Sequence, residues 1–151
     1  MGARNEDQAS ELLIEGANSH LLKGKDVFSL SCRSAEFFTS QKLNGIGFGD
    51  LTTEWGEVIG RRESENNAYR HPKGDMQEED IVHANAFLVD IVRHSLHDAI
   101  IHNLTIQDLH LRLKIRFNQT IFRLIKENKP SQVRWTANLL LEAKTEMKLF
   151  L

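Results

Sequence analysis

The chain has one cysteine, no long apolar run and no opening segment of the secretory type. A single cysteine, Cys32, cannot form a disulfide within the chain, so a reducing, cytoplasmic setting is expected. No apolar run approaches the roughly 20 residues needed to span a bilayer, which argues against a membrane protein. No charged-then-apolar leader opens the chain, so secretion is not indicated. The sequence also shows no internal repeat and no low-complexity segment.

The remaining composition is that of an ordinary globular protein. The 151 residues are 40% hydrophobic and 26% charged, which suits one domain with a substantial core. Residues 105–151 carry nine Lys or Arg against four Asp or Glu, whereas residues 1–104 carry ten against seventeen. These halves can attract each other within one fold or between subunits. We expect a single all-α domain over 1–151, with about five or six helices and self-association into a helical homo-oligomer.

Residues 75–102 are predicted to form the central helix. Asp75 and Glu78 have the spacing of a capping box, in which side chains satisfy backbone N–H groups at a helix start. Apolar residues then recur three, four and seven positions apart, which is typical of a buried helical face. These residues are Ile81, Ala84, Leu88, Ile91, Val92 and Ala99.

The opposite face of the central helix carries a column of titratable groups. Its members are Glu79, His83, Asp90, His94 and His97. Carboxylate oxygens and imidazole nitrogens are ordinary metal ligands, so the column is a candidate divalent-metal site. The alternative is a solvated polar face with local ion pairs, because most charged helix faces are only that.

Two segments are predicted to be loops. Residues 44–50, NGIGFGD, contain three alternating glycines that can cradle a phosphate through backbone N–H groups. Their spacing differs from the dinucleotide-binding fingerprint, so a plain turn is the favoured interpretation. Residues 63–74 are polar and end in His-Pro-Lys-Gly, which indicates a loop by composition.

A short helix is predicted over Leu51–Arg62, between these loops. It places Glu54 and Glu57 three residues apart on one face. Two neighbouring carboxylates repel each other, so this face needs a metal or an arginine if it turns inward and is merely solvated if it turns outward.

Residues 109–117 alternate strictly between apolar and polar, which is typical of a strand. A helix is nevertheless favoured, because Thr105 and Asp108 form a second capping box. The helix would have an apolar face made of Leu109, Leu113, Phe117, Ile121 and Leu124. It would also have a basic stripe that can hold phosphates or a nucleic-acid backbone, made of Arg112, Arg116, Gln119, Arg123 and Lys126.

Further helices are predicted up to about residue 22, over 27–41 and over 131–149. The second of these would bury Cys32 as a small core residue. In the last helix, Trp135 and Leu139 lie off the main apolar stripe. They could therefore serve either a subunit interface or the core.

The order of these parts resembles the all-α nucleotide pyrophosphohydrolases, the MazG-like family and its dimeric dUTPase relatives, over roughly residues 50–120. Glu54-x-x-Glu57 is similar to the family's first acidic pair. The segment that starts at Asp90 is similar to its second acidic helix, turn and basic helix. The resemblance implies Mg²⁺ held by carboxylates, a nucleoside triphosphate as substrate, and attack of water on a phosphoryl group.

The resemblance implies roles for individual residues. Glu54 and Glu57 would be catalytic and would bind metal together with Asp90. Phe87 stands where the family has a second glutamate, so another residue of the central helix would have to replace it: Glu79, Asp80 or His83. The candidates for contact with the phosphates are Arg112, Arg116 and Asn118. A weaker resemblance, to HD-domain metal phosphohydrolases, rests on His71, His97, Asp98 and Asp108.

Two other functions are compatible with the same pattern. A non-enzymatic helical oligomerisation protein, adaptor or structural subunit of a larger assembly predicts an apolar surface near Trp135 and the C-terminus. A nucleic-acid-binding module predicts use of the basic stripe, with binding that weakens steeply with salt. The enzyme instead predicts that Glu54, Glu57 and Asp90 converge on a pocket.

Overall fold

The computed structural model describes residues 19–64, 76–127 and 131–151. Within these ranges the chain forms a short 3₁₀ helix, five α-helices and three strands. In chain order they are the 3₁₀ helix Ser19–Leu22, β1 Asp26–Phe28, α1 Ser34–Gln41, β2 Asn44–Phe48, α2 Trp55–Ser64, α3 Glu78–His102, α4 Ile106–Lys126, α5 Ser131–Glu146 and β3 Met147–Phe150.

A small mixed sheet shows that the all-α prediction is wrong. β1 pairs with β2 in parallel, and β3 pairs with β2 antiparallel, in the order β1-β2-β3. The antiparallel register places Gly45 opposite Phe150 and Phe48 opposite Met147. The strands have three, five and four residues, too short to show a periodicity of two. These segments are strands because they pair with one another, β1 with β2 across about 18 residues and β2 with β3 across about a hundred, and no local pattern reveals such pairing.

The loop predicted over 44–50 is also wrong, because its first five residues form the central strand β2. Gly45 has φ +145°, and a Cβ there would collide with the carbonyl oxygen of Val27. At Gly47 a Cβ would lie 2.9 Å from the backbone nitrogen of Ala35. The glycines therefore let β1 and α1 approach the central strand closely, which is a packing reason for their presence.

The helix predicted over 27–41 is confirmed only in its second half, as α1. Ser34 at its start is buried, and its Oγ accepts a hydrogen bond from the Phe48 N–H at 2.8 Å. This bond ties the start of α1 to the end of β2. Cys32 lies in the preceding turn and is exposed, so its predicted core position is wrong. Its thiol donates to the carbonyl of Leu51 at 3.3 Å.

The central helix predicted over 75–102 is confirmed as α3, with a different start. Its first residue is Glu78, and its capping box is formed by Gln77 and Asp80. The Gln77 N–H donates to Oδ2 of Asp80 at 2.9 Å, and the Asp80 side chain is buried. Asp75 lies outside the described residues, so its predicted capping role is untested.

The favoured helical interpretation of 109–117 is confirmed, since the whole segment belongs to α4. The predicted capping box is present: the Asp108 N–H donates to Oγ1 of Thr105 at 3.2 Å. The last predicted helix is confirmed as α5, but the chain leaves it after Glu146 to form β3. The four residues that continue the helix in sequence are instead held by pairing with β2.

The main core lies where α3, α4 and α5 pack on one another and on β2. Leu113 and Phe117 of α4 are fully buried there. A smaller cluster joins α2, α3 and α5, and it contains Val58, Met76, Ile81, Ala84, Trp135 and Leu139. Trp135 and Leu139 are therefore core residues, which decides between the two predicted roles.

Some predictions fall wholly or partly outside the described residues. Of the predicted N-terminal helix, only 19–22 are described, and they form the 3₁₀ helix. Of the predicted loop 63–74, only the first two residues are described, and they belong to the end of α2. None of the helices in the described ranges has the length and apolar character needed to cross a membrane.

Candidate functional site

The predicted catalytic carboxylates lie at the start of α2 and make local contacts. Oε2 of Glu57 accepts a hydrogen bond from the Thr53 N–H at 3.2 Å, so this carboxylate holds the turn that precedes the helix. Glu54 is exposed, one turn before Glu57. The Thr53 carbonyl accepts a bond from Nδ2 of Asn85 at 2.9 Å, which fixes this turn against α3. Glu57 thus has a structural role at a helix start.

The predicted metal-binding column lies on the exposed side of α3. Glu79 and His83 are exposed. Oδ1 of Asp90 accepts a hydrogen bond from Nη2 of Arg93 at 2.9 Å and lies 3.2 Å from Nδ1 of His94. Asp90 therefore forms an ion pair with Arg93 and contacts His94 on its own helix, which is the kind of local pairing that the solvated-face alternative predicts.

The described residues contain no group of three or more His, Cys, Asp or Glu side chains arranged to hold a metal ion. The enzyme interpretation requires Glu54, Glu57 and Asp90 to converge. In the structure Glu57 accepts a hydrogen bond from Thr53 and Asp90 pairs with Arg93, and within the described ranges these carboxylates belong to no group that could hold a metal ion. The magnesium-dependent hydrolase stays a prediction that the geometry of the described ranges does not support.

Two of the three predicted phosphate contacts do converge, but on a carboxylate of the same chain. Nη1 of Arg112 and Nη2 of Arg116 lie 3.0 Å and 2.7 Å from the same oxygen, Oδ2 of Asp98. The hydrogen bond from Arg116, supported by Arg112, lowers the pKa of Asp98 below its ordinary value. Asn118 lies on another face of α4, where its Oδ1 accepts a bond from Nζ of Lys144 at 2.9 Å.

The pairing of Asp98 with two arginines was not predicted from the sequence. Fourteen and eighteen residues separate it from its two arginines. The signal that could have found it is the short turn at Asn103, whose left-handed backbone ends α3. A turn of that length folds α4 back beside the last turns of α3. Acidic side chains near the end of α3 therefore face basic side chains near the start of α4.

A groove of about 250 Å³ lies between α3 and α4. Its lining residues are Asp90, Ile91, His94, Arg116, Gln119, Thr120 and Arg123. The guanidinium of Arg123 lies 5.8 Å from the ring centre of Phe87, a cation–π distance. Arg116 is held by Asp98, and Asp90 lines the same groove. The chain's own carboxylates therefore offset part of the positive charge that a phosphate would need.

The outer side of α4 carries large apolar side chains that face solvent. Leu111, Ile115, Phe122 and Ile125 are 58%, 46%, 67% and 63% exposed. Their spacings of four, seven and three place them, with exposed Asn118 between them, within about 40° of a common direction. We call these five residues the outer stripe. The buried side chains of α4 point the opposite way.

The outer stripe was missed, although the sequence contains its signal. Residues two apart on a helix point about 200° away from each other. Strict alternation over 109–117 therefore gives a helix two apolar faces rather than one. Leu109 and Leu113 belong to the buried face, and Leu111 and Ile115 belong to the exposed one. A depression of about 440 Å³ lies at this end of the stripe, lined by Leu104, Asp108, Leu111, Arg112, Ile115, Arg116 and Gln119.

Neither the protein-family models, nor the curated proteins, nor the solved structures contain a match to this chain.

Proposed function

We propose that the protein is a non-enzymatic helical adaptor or assembly subunit, whose outer stripe binds a helix of another polypeptide. The observation that carries this proposal is the exposure of four large apolar side chains in a repeat of threes and fours on one helix. Clustered exposed apolar residues mark interaction surfaces in folded proteins. A partner helix that contributes anchors at i, i+3, i+4 and i+7 has the matching spacing.

The dimensions of the stripe suit such a partner. From Leu111 to Ile125 the helix rises about 21 Å, or roughly four turns. Full burial of a large apolar side chain is worth about 1.5–3 kcal/mol, so four side chains that are about half exposed can gain roughly 4–6 kcal/mol. A partner's own apolar face adds a similar amount, and association costs at least about 4 kcal/mol. The net gain is therefore at most about 4–8 kcal/mol, so we expect dissociation constants between about a millimolar and a micromolar rather than nanomolar binding.

The predicted position of the apolar surface requires a correction within this proposal. Trp135, around which the surface was expected, is only 7% exposed and lies in the smaller core cluster. The outer stripe supplies the surface instead. Self-association stays a prediction, which sedimentation tests below. The proposal also includes a reducing, cytoplasmic setting, because the exposed thiol of Cys32 has no second cysteine in the sequence with which to pair.

Fluorescence anisotropy with a labelled helical peptide tests the proposal. The peptide has about 21 residues, with Leu and Ile in a repeat of threes and fours and neutral Gln and Ala elsewhere. We expect saturable binding to the full chain, and roughly 10-fold or greater weakening by Phe122→Glu, because the change places a charge in the apolar contact at its most exposed side chain.

Val89→Glu is the matched control. Val89 is 57% exposed on α3, so the substitution adds the same charge at an exposed apolar position off the outer stripe. This variant should bind the peptide as the unchanged protein does, and both variants should keep their melting temperatures. Equal loss of binding in the two variants contradicts the proposal. So does an absence of peptide binding by a chain that sediments as a monomer.

A further inference from the structure

Positively charged residues border the outer stripe on both sides. If Leu111, Asn118 and Ile125 are assigned to heptad position d, the flanking positions e and g contain three cations: Arg112, Lys114 and Lys126. Lys144 of α5 reaches the stripe as well, since its Nζ donates to Asn118 Oδ1 at 2.9 Å. No Asp or Glu occurs between residues 109 and 126. The surface is therefore apolar along its centre and basic along its edges.

Most of this charge is not neutralised by the chain itself. Arg112 and Arg116 share one oxygen of Asp98, so two cations face one carboxylate. Lys114 and Lys126 form no ion pair within residues 19–64, 76–127 and 131–151, and both are exposed. An incoming helix would therefore meet more positive than negative charge beside the stripe, since Asp108, in the depression at one end, is the one carboxylate within α4 itself.

We infer that the occupant of the outer stripe is an amphipathic helix with acidic residues beside its apolar seam. This inference rests on the proposed function. Charged residues at positions e and g select coiled-coil partners through ion pairs, and glutamates there would face Arg112, Lys114 and Lys126. Two copies of α4 could form few such pairs, because Asp108 is the one carboxylate that α4 contributes and it already accepts a hydrogen bond from Oγ1 of Thr105. The charge pattern thus favours a different, acidic helix over a second copy of this surface.

Three labelled peptides with one apolar seam and different flanks test the inference on the full chain. Their e and g positions hold Glu, Gln or Lys. In about 0.1 M salt the Glu peptide should bind roughly 10-fold more tightly than the Gln peptide, since several ion pairs form at the rim, and the Lys peptide should bind most weakly. In about 1 M salt the three affinities should converge, because exposed charges are then screened.

Paired lysine variants localise the effect. Lys114→Gln combined with Lys126→Gln should remove most of the preference for the Glu peptide and leave the affinity for the Gln peptide unchanged. Lys25→Gln combined with Lys148→Gln removes the same charge from exposed positions outside α4 and should leave the preference intact.

The outcomes separate this inference from the proposed function. Equal affinity for the Glu and Gln peptides at low salt would overturn the inference that the partner is acidic. The proposal that the outer stripe binds a helix would still hold. Failure of all three peptides to bind would overturn both. A dimer that sedimentation shows to be dissociated by Phe122→Glu would identify a second copy as the occupant and would also overturn the acidic partner.

Discussion

Phe117 and Phe122 lie five residues apart on α4, and their contrast tests which side of this helix faces the core. Phe117 is 0% exposed, whereas Phe122 is 67% exposed. Replacing Phe117 by Ala leaves a cavity in a packed core, so the free energy of unfolding should fall by about 3–5 kcal/mol. Phe122→Ala loses only the buried third of its ring, worth about 1 kcal/mol, and gains about 0.5 kcal/mol of helix propensity. Its net effect should be a loss of about 0.5 kcal/mol.

Urea denaturation of the two variants and the unchanged protein measures these free energies. Thermal melts provide a second reading: for a chain of this length, 1 kcal/mol corresponds to about 2–4 °C. We expect Phe117→Ala to melt about 6–20 °C lower and Phe122→Ala within about 2 °C of the unchanged protein. A loss above about 2 kcal/mol in Phe122→Ala at the lowest usable concentration would refute the assignment of faces, and so would a neutral Phe117→Ala. If the loss appears only at high concentration, Phe122 is covered by a second copy.

Three further predictions concern packing, hydrogen bonding and pH. Gly47→Ala should cost about 1–3 kcal/mol, because its Cβ would press on the backbone of α1. Gly56→Ala, in α2 with no atom within 4 Å, should be neutral or stabilising, and urea denaturation compares the two. Ser34→Ala leaves the buried Phe48 N–H without its acceptor, so unfolding should become easier by about 1–3 kcal/mol, with faster amide exchange at Phe48. Burial, helped by the charge of a nearby lysine, lowers the pKa of His110 below 6.5. The folded state therefore resists protonation of His110, so stability should fall as pH drops below 6.5 and level off below the lowered pKa. His110→Gln should flatten this dependence in denaturation curves measured across the range.

The long helices could be predicted because their signals are local. Along α3 the apolar residues keep a helical spacing over about five turns, and for α4 the capping box at Thr105 and Asp108 outweighed the alternating pattern. The exact start of α3 could not be predicted, because both Asp75–Glu78 and Gln77–Asp80 have the spacing of a capping box. The second pair is the one that forms within the described residues.

The sheet could not be predicted, because its stability is not local. β2 contains two glycines in five residues, which lowers its intrinsic strand preference. It is a strand because β1 and β3 pair with it and because α1 packs on Gly47. The sequence shows the glycines but does not show what approaches them.

Whether the predicted site residues meet depends on how each helix is rotated about its own axis. Tertiary contacts set that rotation. Val58 is buried and Asn85 binds the turn before α2, and together they fix the direction of the Glu54–Glu57 face. The spacing of these carboxylates does not indicate that Glu57 accepts a hydrogen bond from the Thr53 N–H. The outer stripe, in contrast, follows from sequence alone once 109–117 is taken as a helix, since alternation then requires a second apolar face.

Whether the outer stripe holds a partner helix is tested directly by titrating the Glu-flanked peptide into the unchanged protein, Phe122→Glu and Val89→Glu side by side. We expect saturable binding in the micromolar range by the unchanged protein and by Val89→Glu, with at least about 10-fold weaker binding by Phe122→Glu. Indistinguishable binding curves for the three proteins would show that the outer side of α4 is not where a partner helix is held.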